Sequence, residues 1–190
     1  MPKVEPIVRV ENIVASAILT HRIELNAVVR AFPEVEYRPE QFPGLIFRLK
    51  KPKATNLIFG SGKIISTGAR SEKEAEKALG RLLNMLRDGG ILITGKPEIR
   101  VTNIVASANL GGTIDLLQFY ESERNMRGRI MYEPDQFPGM IYRTEDPRTV
   151  ILLFSTGKLV CTGATKEEDV HRAIKKLHQR LEEEEHIHYE

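Results

Sequence analysis

The sequence predicts an α+β protein made of two direct repeats, with some ten antiparallel strands and four helices on one face of the sheet. Three observations lead to this prediction. Three segments recur farther along the chain with 22 of 32 residues identical. Each repeat ends in a capped, amphipathic helical pattern, and the residues before that pattern alternate in the manner of strands. Two related halves of this kind predict a pseudo-twofold molecule.

The recurring segments define the domain organisation. The second copies lie 91 to 95 residues after the first, so the second repeat has four extra residues between positions 108 and 132. We expect a first repeat over residues 1–95, a second over 96–180 and an acidic C-terminal tail over 181–190. The recurring pairs are Arg9–Ala17 with Arg100–Ala108, Tyr37–Arg48 with Tyr132–Arg143, and Phe59–Ala69 with Phe154–Ala164.

Both repeats predict the same order of elements. A strand comes first, then a short helix, several short strands and a long helix. A glycine-containing turn separates the last two strands of each repeat, as in a hairpin, at residues 60–62 and 155–157. The expected bounds are 7–17 and 98–108 for the first strands, 23–32 and 114–122 for the short helices, and 68 and 163 for the ends of the last strands.

The long helices are predicted by their start signals and their apolar stripes. Ser71 with Glu74, and Thr165 with Glu168, each match a capping box, in which the two side chains satisfy free amides at the helix start. Asp88-Gly89-Gly90 ends the first of these helices. The apolar stripes are Ala75, Ala78, Leu79, Leu82 and Leu86 in the first, and Val170, Ala173, Ile174, Leu177 and Leu181 in the second.

The composition restricts the class of protein. With 41% apolar and 28% charged residues among 190, the chain is typical of a globular protein and not of a disordered or fibrous one. No apolar run approaches the ~18 residues of a membrane-spanning helix, and we expect no secretion signal because the N-terminal residues lack an apolar core. The single cysteine, Cys161, excludes an internal disulfide or a cysteine-rich zinc site and fits an intracellular setting. We expect no cofactor.

The charge is unevenly distributed along the chain. Residues 1–180 carry 28 Lys and Arg against 21 Asp and Glu, whereas the last ten residues carry five Glu. A basic body suits a polyanionic partner while an acidic tail stays in solvent. On charge alone, a solvated surface with a frayed end is the simpler interpretation.

The strands place apolar residues on both faces of the sheet. Ile58 points to one face and its neighbours Leu57 and Phe59 to the other, because side chains alternate along a strand. Four helices can cover only one face, and an exposed apolar face with a basic rim is typical of an interaction site. A two-sheet sandwich is the alternative, although polar residues on the second face argue against it. That face holds Val14, Leu57, Phe59, Ile65, Val105, Leu152, Phe154 and Val160, with Lys63, Lys158 and an asparagine in each half.

The second face has the chemistry of a minor-groove binder. Its aliphatic side chains offer no hydrogen bonds, so they suit sugars and A·T base edges and not the donor and acceptor code of the major groove. Phe42 with Phe59, and Phe137 with Phe154, are candidate wedges that unstack base steps. Basic residues recur at matching positions around them and can neutralise several phosphates. These are Arg48, Lys53 and Lys63, repeated as Arg143, Arg148 and Lys158.

Four motifs with their repeats give the chain a family resemblance over residues 7–180. They are Val10–Ser16, Tyr37–Ile46, Leu57–Lys63 and Thr67–Ala69. In these motifs the sequence resembles the TATA-box-binding protein family, and the acidic run Glu182–Glu185 resembles its archaeal form. The resemblance implies a general transcription initiation factor and no enzyme. It also implies a curved, saddle-shaped sheet of ten strands, with four helices on the convex side and the concave side on a DNA minor groove.

The resemblance implies a role for each site residue. Asn12, Asn103, Thr67 and Thr162 would contact central base edges, and Val14, Leu57, Ile65, Val105, Leu152 and Val160 the groove floor. The four phenylalanines named above would kink the TATA box, and Pro43 and Pro138 would stiffen the two loops that carry Phe42 and Phe137. Phosphates would be held by Arg48, Lys53, Ser61, Lys63, Arg143, Arg148 and Lys158.

The partners implied by the resemblance are double-stranded DNA, transcription factor B and, through it, RNA polymerase in a preinitiation complex. The second of the two loops is the more acidic, and Glu133, Asp135 and Met140 are the candidates for the contact with transcription factor B. The expected location is the archaeal cytoplasm at the nucleoid, or the nucleus for a eukaryotic source. No membrane is expected, and a homodimer of the free protein through its exposed face is left open.

Other functions fit the sequence less well. A DNA glycosylase needs a further catalytic domain, for which two repeats leave no room. A protein- or peptide-binding module on the apolar concave face is the main alternative, and the matched basic residues count against it. Gly60–Lys63 lacks the spacing of a phosphate loop. His186 and His188 stand in an expected flexible tail, which is a weak basis for a metal site.

Overall fold

The computed structural model describes residues 5–126 and 129–190, which divide into two compact units. The N-terminal unit is Asn12–Thr102. The C-terminal unit is Asn103–Glu190 together with the described residues before Asn12. The boundaries therefore fall at Asn12 and Asn103, the two asparagines that the repeat relates.

The N-terminal unit is a four-stranded antiparallel sheet with two helices. Its elements are β1 (Ile7–Ile18), which starts before the unit boundary, α1 (Leu25–Ala31), β2 (Leu45–Lys50), β3 (Lys53–Ile58), β4 (Lys63–Ala69) and α2 (Glu72–Asp88). The strand order is β2-β3-β4-β1. The turn between β3 and β4 is closed by hydrogen bonds from Gly62 N to Phe59 O (3.0 Å) and from Phe59 N to Lys63 O (2.9 Å), as the hairpin prediction requires.

The C-terminal unit repeats this plan with three further short strands. Its sheet has the order β5-β10-β9-β8-β7, and β11 pairs separately with β6. The elements are β5 (Ile99–Asn109), β6 (Thr113–Ile114), α3 (Leu116–Ser122), a 3-10 turn (Arg124–Met126), β7 (Ile130–Met131), β8 (Met140–Glu145), β9 (Arg148–Leu153), β10 (Lys158–Ala164), α4 (Glu167–Glu183) and β11 (Ile187–His188).

The predicted fold class is confirmed, with one correction to the strand count. The described residues form four α-helices and antiparallel strands in the predicted order. The main sheets of the two units hold four and five strands, nine in total where ten were expected. The missing strand is the counterpart of β7, because in the N-terminal unit that pairing is reduced to a single bridge between Glu36 and Ile46.

The two long helices start differently. At α2, Ser71 Oγ accepts a hydrogen bond from Glu74 N (3.0 Å) and the Glu74 carboxylate accepts one from Arg70 N (3.3 Å). At α4 the predicted Thr165 capping box is wrong, since the N-cap is Lys166 and makes no side-chain cap bond. Lys166 is the counterpart of Ser71, because the two repeats are offset by 95 residues here. Three acidic residues in the first turn, Glu167–Asp169, suit the positive end of the helix dipole instead.

This difference predicts unequal effects of two matched substitutions. Ser71→Ala should lower the free energy of unfolding by about 1 kcal/mol, because it removes the acceptor for an amide at the helix start. Thr165→Ala should leave it unchanged within about 0.5 kcal/mol. Urea unfolding followed by circular dichroism measures both. Equal losses in the two variants would contradict the assigned caps.

The C-terminal segment is not the free, solvated tail that the sequence predicted. Helix α4 continues to Glu183. The chain then turns, and His186 and Ile187 are buried, at 9% and 7% exposure. Ile187 pairs with Ile114 in the β11–β6 pair. The physical reason is that Ile187 is apolar and that β6, the strand of Thr113 and Ile114, has no other strand to pair with among the described residues.

In each unit the helices cover one face of the sheet. The predicted apolar stripes of α2 and α4 are buried in full. The strand residues facing them, such as Ile13, Ile58, Ile104 and Ile151, are 0% exposed. No helix in the described part of the chain combines the length and the apolar content needed to cross a membrane.

Candidate nucleic-acid interface

The face opposite the helices stays partly open in both units. The predicted face residues Asn12, Val14, Leu57, Phe59, Ile65 and Thr67 are half-buried, as are their counterparts Asn103, Val105, Leu152, Phe154, Val160 and Thr162. The residues between them along each strand are buried. The sandwich alternative therefore fails for the described residues, because it would bury this open face as completely as the other.

Strand register brings the apolar residues of the open face together. Leu57 lies opposite Ile65 on one side and opposite Ile46 on the other. The C-terminal unit repeats this arrangement, with Leu152 opposite Val160 and Ile141. Ile46 and its counterpart Ile141 extend the patch by one strand and were not among the residues predicted for this face. The sequence feature that could have identified them is their position at the end of the recurring Phe-Pro-Gly-x-Ile motif.

The two asparagines are held in the same geometry by their own units. Asn12 Oδ1 accepts a hydrogen bond from Gly68 N (2.7 Å), and Asn12 Nδ2 donates to Thr67 Oγ1 (2.8 Å). Asn103 makes the corresponding bonds to Gly163 N (2.7 Å) and Thr162 Oγ1 (3.1 Å). Gly68 and Gly163 have positive φ values of 112° and 101°, a conformation that favours glycine.

This network fixes what each amide can offer a ligand. The backbone N–H of the glycine can only donate, so it orients the amide oxygen toward itself. Each amide nitrogen carries two hydrogens and gives one to the threonine. Within the described residues the second N–H has no acceptor, so a ligand at the open face can supply one. A·T pairs present only acceptors in the minor groove, so these donors match A·T base edges.

The four phenylalanines form two T-shaped pairs. Phe42 and Phe59 have ring centroids 5.9 Å apart and an interplanar angle of 70°. Phe137 and Phe154 are also 5.9 Å apart, at 68°. Phe42 and Phe137 remain 39% and 40% exposed, an unusual state for a large apolar ring. Pro43 and Pro138 are exposed beside them.

A glycine beneath each pair allows the rings to meet, a role that was not predicted from the sequence. A Cβ on Gly44 would lie 2.7 Å from Phe42 Cε1 and 3.0 Å from Phe59 Cε1. A Cβ on Gly139 would lie 2.8 Å and 3.0 Å from the matching atoms of Phe137 and Phe154. The sequence feature that could have indicated this role is the glycine of the recurring Phe-Pro-Gly motif.

Gly44→Ala should therefore disturb the first phenylalanine pair without unfolding the protein. The added methyl group pushes two half-exposed rings apart, so any DNA wedge they form is misplaced. We expect a loss of affinity for DNA and a thermal midpoint close to that of the parent chain. Binding and thermal unfolding measure the two effects. Gly80→Ala, where the φ is not positive and nothing lies within 4 Å of the added Cβ, is the control for a glycine replacement without a clash.

The predicted phosphate contacts lie on exposed positions. Arg48 forms an ion pair with Glu36 (2.8 Å), which a phosphate would have to displace. Arg143 is the counterpart of Arg48, but Met131 stands where the N-terminal unit has Glu36. In the described part of the chain Arg143 therefore has no corresponding acid to pair with. Ser61 has a counterpart that was not predicted, Thr156, whose hydroxyl accepts a hydrogen bond from Lys158 N as that of Ser61 does from Lys63 N. Lys53, Ser61, Lys63, Arg143, Arg148 and Lys158 are all exposed.

The candidates for a protein partner divide into two groups. Glu133 and Asp135 are exposed on the loop before β8. Met140 is fully buried and pairs with Leu153 inside the C-terminal unit. Its side chain cannot reach a partner without unfolding β8, so we leave Met140 out of the contact.

The described residues hold no cluster of three or more metal-ligating side chains. Cys161 is buried on the helix-facing side, as predicted. Burial raises the pKa of its thiol to about 11, against a smaller opposing effect of a hydrogen bond with Thr149. The thiolate form of a reactive cysteine is therefore disfavoured.

Comparison with known proteins gives consistent matches over both units. The family described as "Transcription factor TFIID (or TATA-binding protein, TBP)" matches residues 7–89 and 98–184. A TATA-box-binding protein of Sulfurisphaera tokodaii is 51% identical over 177 residues, 93% of this chain and 87% of the relative. One of Aeropyrum pernix is 47% identical over 187 residues, 96% of this chain and 87% of the relative. The solved structure of Methanococcus jannaschii TBP has a TM-score of 0.80 at 43% identity, covering 93% of this chain and 98% of that one.

Proposed function

The chain belongs to the TATA-box-binding protein family of archaeal type, whose members are DNA-binding transcription factors and not enzymes, and we propose that it initiates transcription by kinking the TATA box. In this proposal the open faces of both units lie in the minor groove. The paired phenylalanines enter base steps, and the bent DNA then recruits transcription factor B and RNA polymerase into a preinitiation complex.

One observation carries the proposal. Each unit holds an oriented amide donor on an apolar face that also carries a pair of phenylalanines, one ring exposed and one half-buried. Donors fit the acceptors of A·T pairs, and the apolar surroundings leave the guanine amino group without a partner. Exposed aromatic rings suit insertion between base steps, which kinks a duplex toward its major groove. Two copies of this arrangement would produce two kinks.

The exposed basic residues supply affinity that does not depend on sequence. Lys63→Ala should weaken binding to TATA and random duplexes alike and lower the salt slope of log K by about one unit. The reason is that one phosphate contact, and its released counterion, is lost. Titrations at several salt concentrations measure the slope. A loss confined to the TATA duplex would contradict the role of Lys63.

The experiment that tests the proposal is a titration of an end-labelled duplex containing TATAAAAG beside a G·C-rich duplex. Energy transfer between the ends reports bending, and two salt concentrations report the electrostatic part. We expect selective binding with a large bend. Weak, unselective binding without a bend would overturn the proposal and favour another occupant of the open face, such as a peptide.

We further propose that transcription factor B contacts the acidic loop of the C-terminal unit. Glu133 and Asp135 are exposed there, whereas the matching loop of the N-terminal unit has Arg38 in place of Glu133. A partner that prefers one loop would fix the direction of an otherwise near-symmetric complex. Glu133→Arg should weaken the addition of transcription factor B to the protein–DNA complex in a gel-shift assay. Arg38→Glu is the matched control, and equal effects would contradict the proposal.

A further inference from the structure

One candidate wedge, Phe154, stands at the start of a turn that is held by hydrogen bonds from an earlier part of the chain. The turn runs from Phe154 to Gly157 between β9 and β10, and we call it the wedge turn. Leu110 N donates to Gly157 O and Ile114 N donates to Ser155 O, each at 2.8 Å. Because Ile114 belongs to β6, the position of the wedge turn depends on the position of that short strand.

Strand β6 is in turn held by the C-terminal segment, residues 186–189. Within that segment β11 pairs with β6, and His186 O accepts a hydrogen bond from Asp115 N (3.1 Å). Successive backbone groups of a strand point to opposite edges, so Asp115 N faces β11 while Ile114 N faces the wedge turn. Strand β6 therefore lies between the C-terminal segment and the wedge turn and is bonded to both.

Two glycines bring the C-terminal segment and the wedge turn into contact through a single peptide. A Cβ on Gly112 would lie 2.8 Å from His188 O and 2.9 Å from Ile187 Cγ1. A Cβ on Gly157 would collide with Gly112 O. At these contacts no side chain separates the segment, Gly112 and the wedge turn. In a close-packed arrangement of this kind, a shift of the segment displaces the turn.

The C-terminal segment is fixed to the rest of its unit at both ends. At its start the ring of His186 packs on Phe119, with centroids 5.6 Å apart. At its end the Tyr189 hydroxyl donates to Glu182 Oε1 (2.8 Å) and accepts from His178 Nε2 (2.6 Å). Burial, and then the hydrogen bond to Glu182, raise the pKa of Tyr189 to about 12, so the hydroxyl keeps its proton at neutral pH. The segment is therefore a fixed support.

The N-terminal unit supports its own wedge in a different way. The amides of Leu19 and Ile23 donate to the turn between β3 and β4 (2.9 and 3.1 Å), as Leu110 and Ile114 do in the C-terminal unit. Next to them, however, His21 is the counterpart of Gly112, and its Nε2 donates to a backbone carbonyl of the chain after α2 (2.6 Å). A side chain thus makes the connection that is a direct backbone contact in the C-terminal unit.

We propose that residues 186–189 position the Phe154 wedge for DNA bending, acting through β6 and Gly112. The inference rests on the proposed function for the role of the ring itself. The ring is half-buried and contacts Phe137 edge-on, so the backbone of the wedge turn determines the direction in which it meets a base step. A turn that is held in one orientation before DNA arrives loses less conformational freedom on binding, which increases affinity.

The first test measures amide hydrogen exchange in the free protein with the full chain. Ile187→Ala removes the buried side chain of the segment. We expect the amides of Leu110 and Ile114 to exchange at least about tenfold faster, because their acceptors lie in the wedge turn. The matching amides of the N-terminal unit, Leu19 and Ile23, should keep their rates. Unchanged rates at Leu110 and Ile114, or an equal increase at all four amides, would overturn the proposal.

Gly112→Ala is a second variant, and it leaves every residue of the segment in place. The φ of Gly112 is not positive, so the added methyl group acts by pushing on His188 and Ile187 and not by straining the backbone. The amides of Leu110 and Ile114 should again exchange faster. Parent rates at both amides would contradict the contact through Gly112 and overturn the proposal.

The second test measures the DNA bend at saturating protein, by energy transfer across a TATA duplex. Ile187→Ala should decrease the bend and reduce affinity about threefold, less than the loss of the ring itself. It should have the same effect in the Phe59→Ala background. In the Phe154→Ala background it should change nothing further, because the ring that the segment positions is absent. Ile187→Val should restore the parent bend. An equal decrease in the Phe154→Ala background would show a general structural effect and refute positioning.

The outcomes separate this inference from the proposed function. A bend that Phe154→Ala leaves unchanged refutes the wedge, and with it the role of the segment in bending, while the exchange rates still show whether the segment holds the turn. A bend that decreases in Phe154→Ala but not in Ile187→Ala keeps the proposed function and overturns only the positioning role of the segment.

Discussion

Phe154→Ala should reduce affinity for a TATA duplex about tenfold or more and decrease the DNA bend, because one of the two wedge pairs loses a ring. Stacking of an aromatic side chain on a base contributes ~1–3 kcal/mol. In the free protein the ring is only half-buried and contacts Phe137 edge-on, so its removal should change the stability of the fold far less than binding. Energy transfer across the bound duplex measures the bend directly.

The repeat provides the matched control for this experiment. Phe59→Ala removes the corresponding ring of the N-terminal unit and should reduce the bend to a similar extent. A core substitution such as Phe119→Ala should lower stability instead, since that ring is fully buried. An unchanged bend angle in Phe154→Ala, at saturating protein, would refute the wedge role.

Asn12→Ala should reduce discrimination between TATA and random duplexes by ~1–3 kcal/mol, the usual contribution of a specific base contact. The substitution removes the amide donor of the open face. It also removes the acceptor for Gly68 N, so part of the effect is structural. Parallel titrations of the two duplexes measure the discrimination. Equal losses on both would refute a role in sequence recognition.

Asn12→Asp separates the two contributions. The carboxylate still accepts from Gly68 N, so the local structure is kept, but it has no hydrogen to offer and brings a negative charge toward DNA. We expect stability close to that of the parent chain and affinity below that of Asn12→Ala. Asn103→Asp should behave alike, because its contacts are the same. Retained TATA affinity in either aspartate variant would show that the amide donor is not used.

Periodicity and repetition were enough to predict most of the fold. Alternation along β3 and β4 assigned Ile58 and Ile64 to the buried face and Leu57 and Ile65 to the open face, because a strand offers only two directions. The start of α4 was misassigned, since Thr165 and Glu168 have the right spacing for a capping box while the chain enters the helix one residue later. The position of Ile187 was missed because its partner, Ile114, is distant in sequence and belongs to a two-residue strand.

The sequence was enough to predict which residue types lie on the candidate interface, but not how their side chains contact one another. Spacing placed Asn12 and Thr67 on one face, and the structure adds that the threonine and Gly68 orient the amide. The need for Gly44 follows from how closely two rings approach its backbone, which only coordinates reveal.

The packing of the C-terminal segment affects how its charge can be studied. The run Glu182–Glu185 lies between Leu181 and His186, both of which are buried. Deleting the segment to remove its charge would also uncover Ile114 and leave Thr113 and Ile114 as an unpaired edge open to other chains. Aggregation or weak DNA binding of such a truncated protein would then say nothing about electrostatics. Replacing the exposed Glu183 and Glu185 with glutamine changes the charge while Ile187 stays in place.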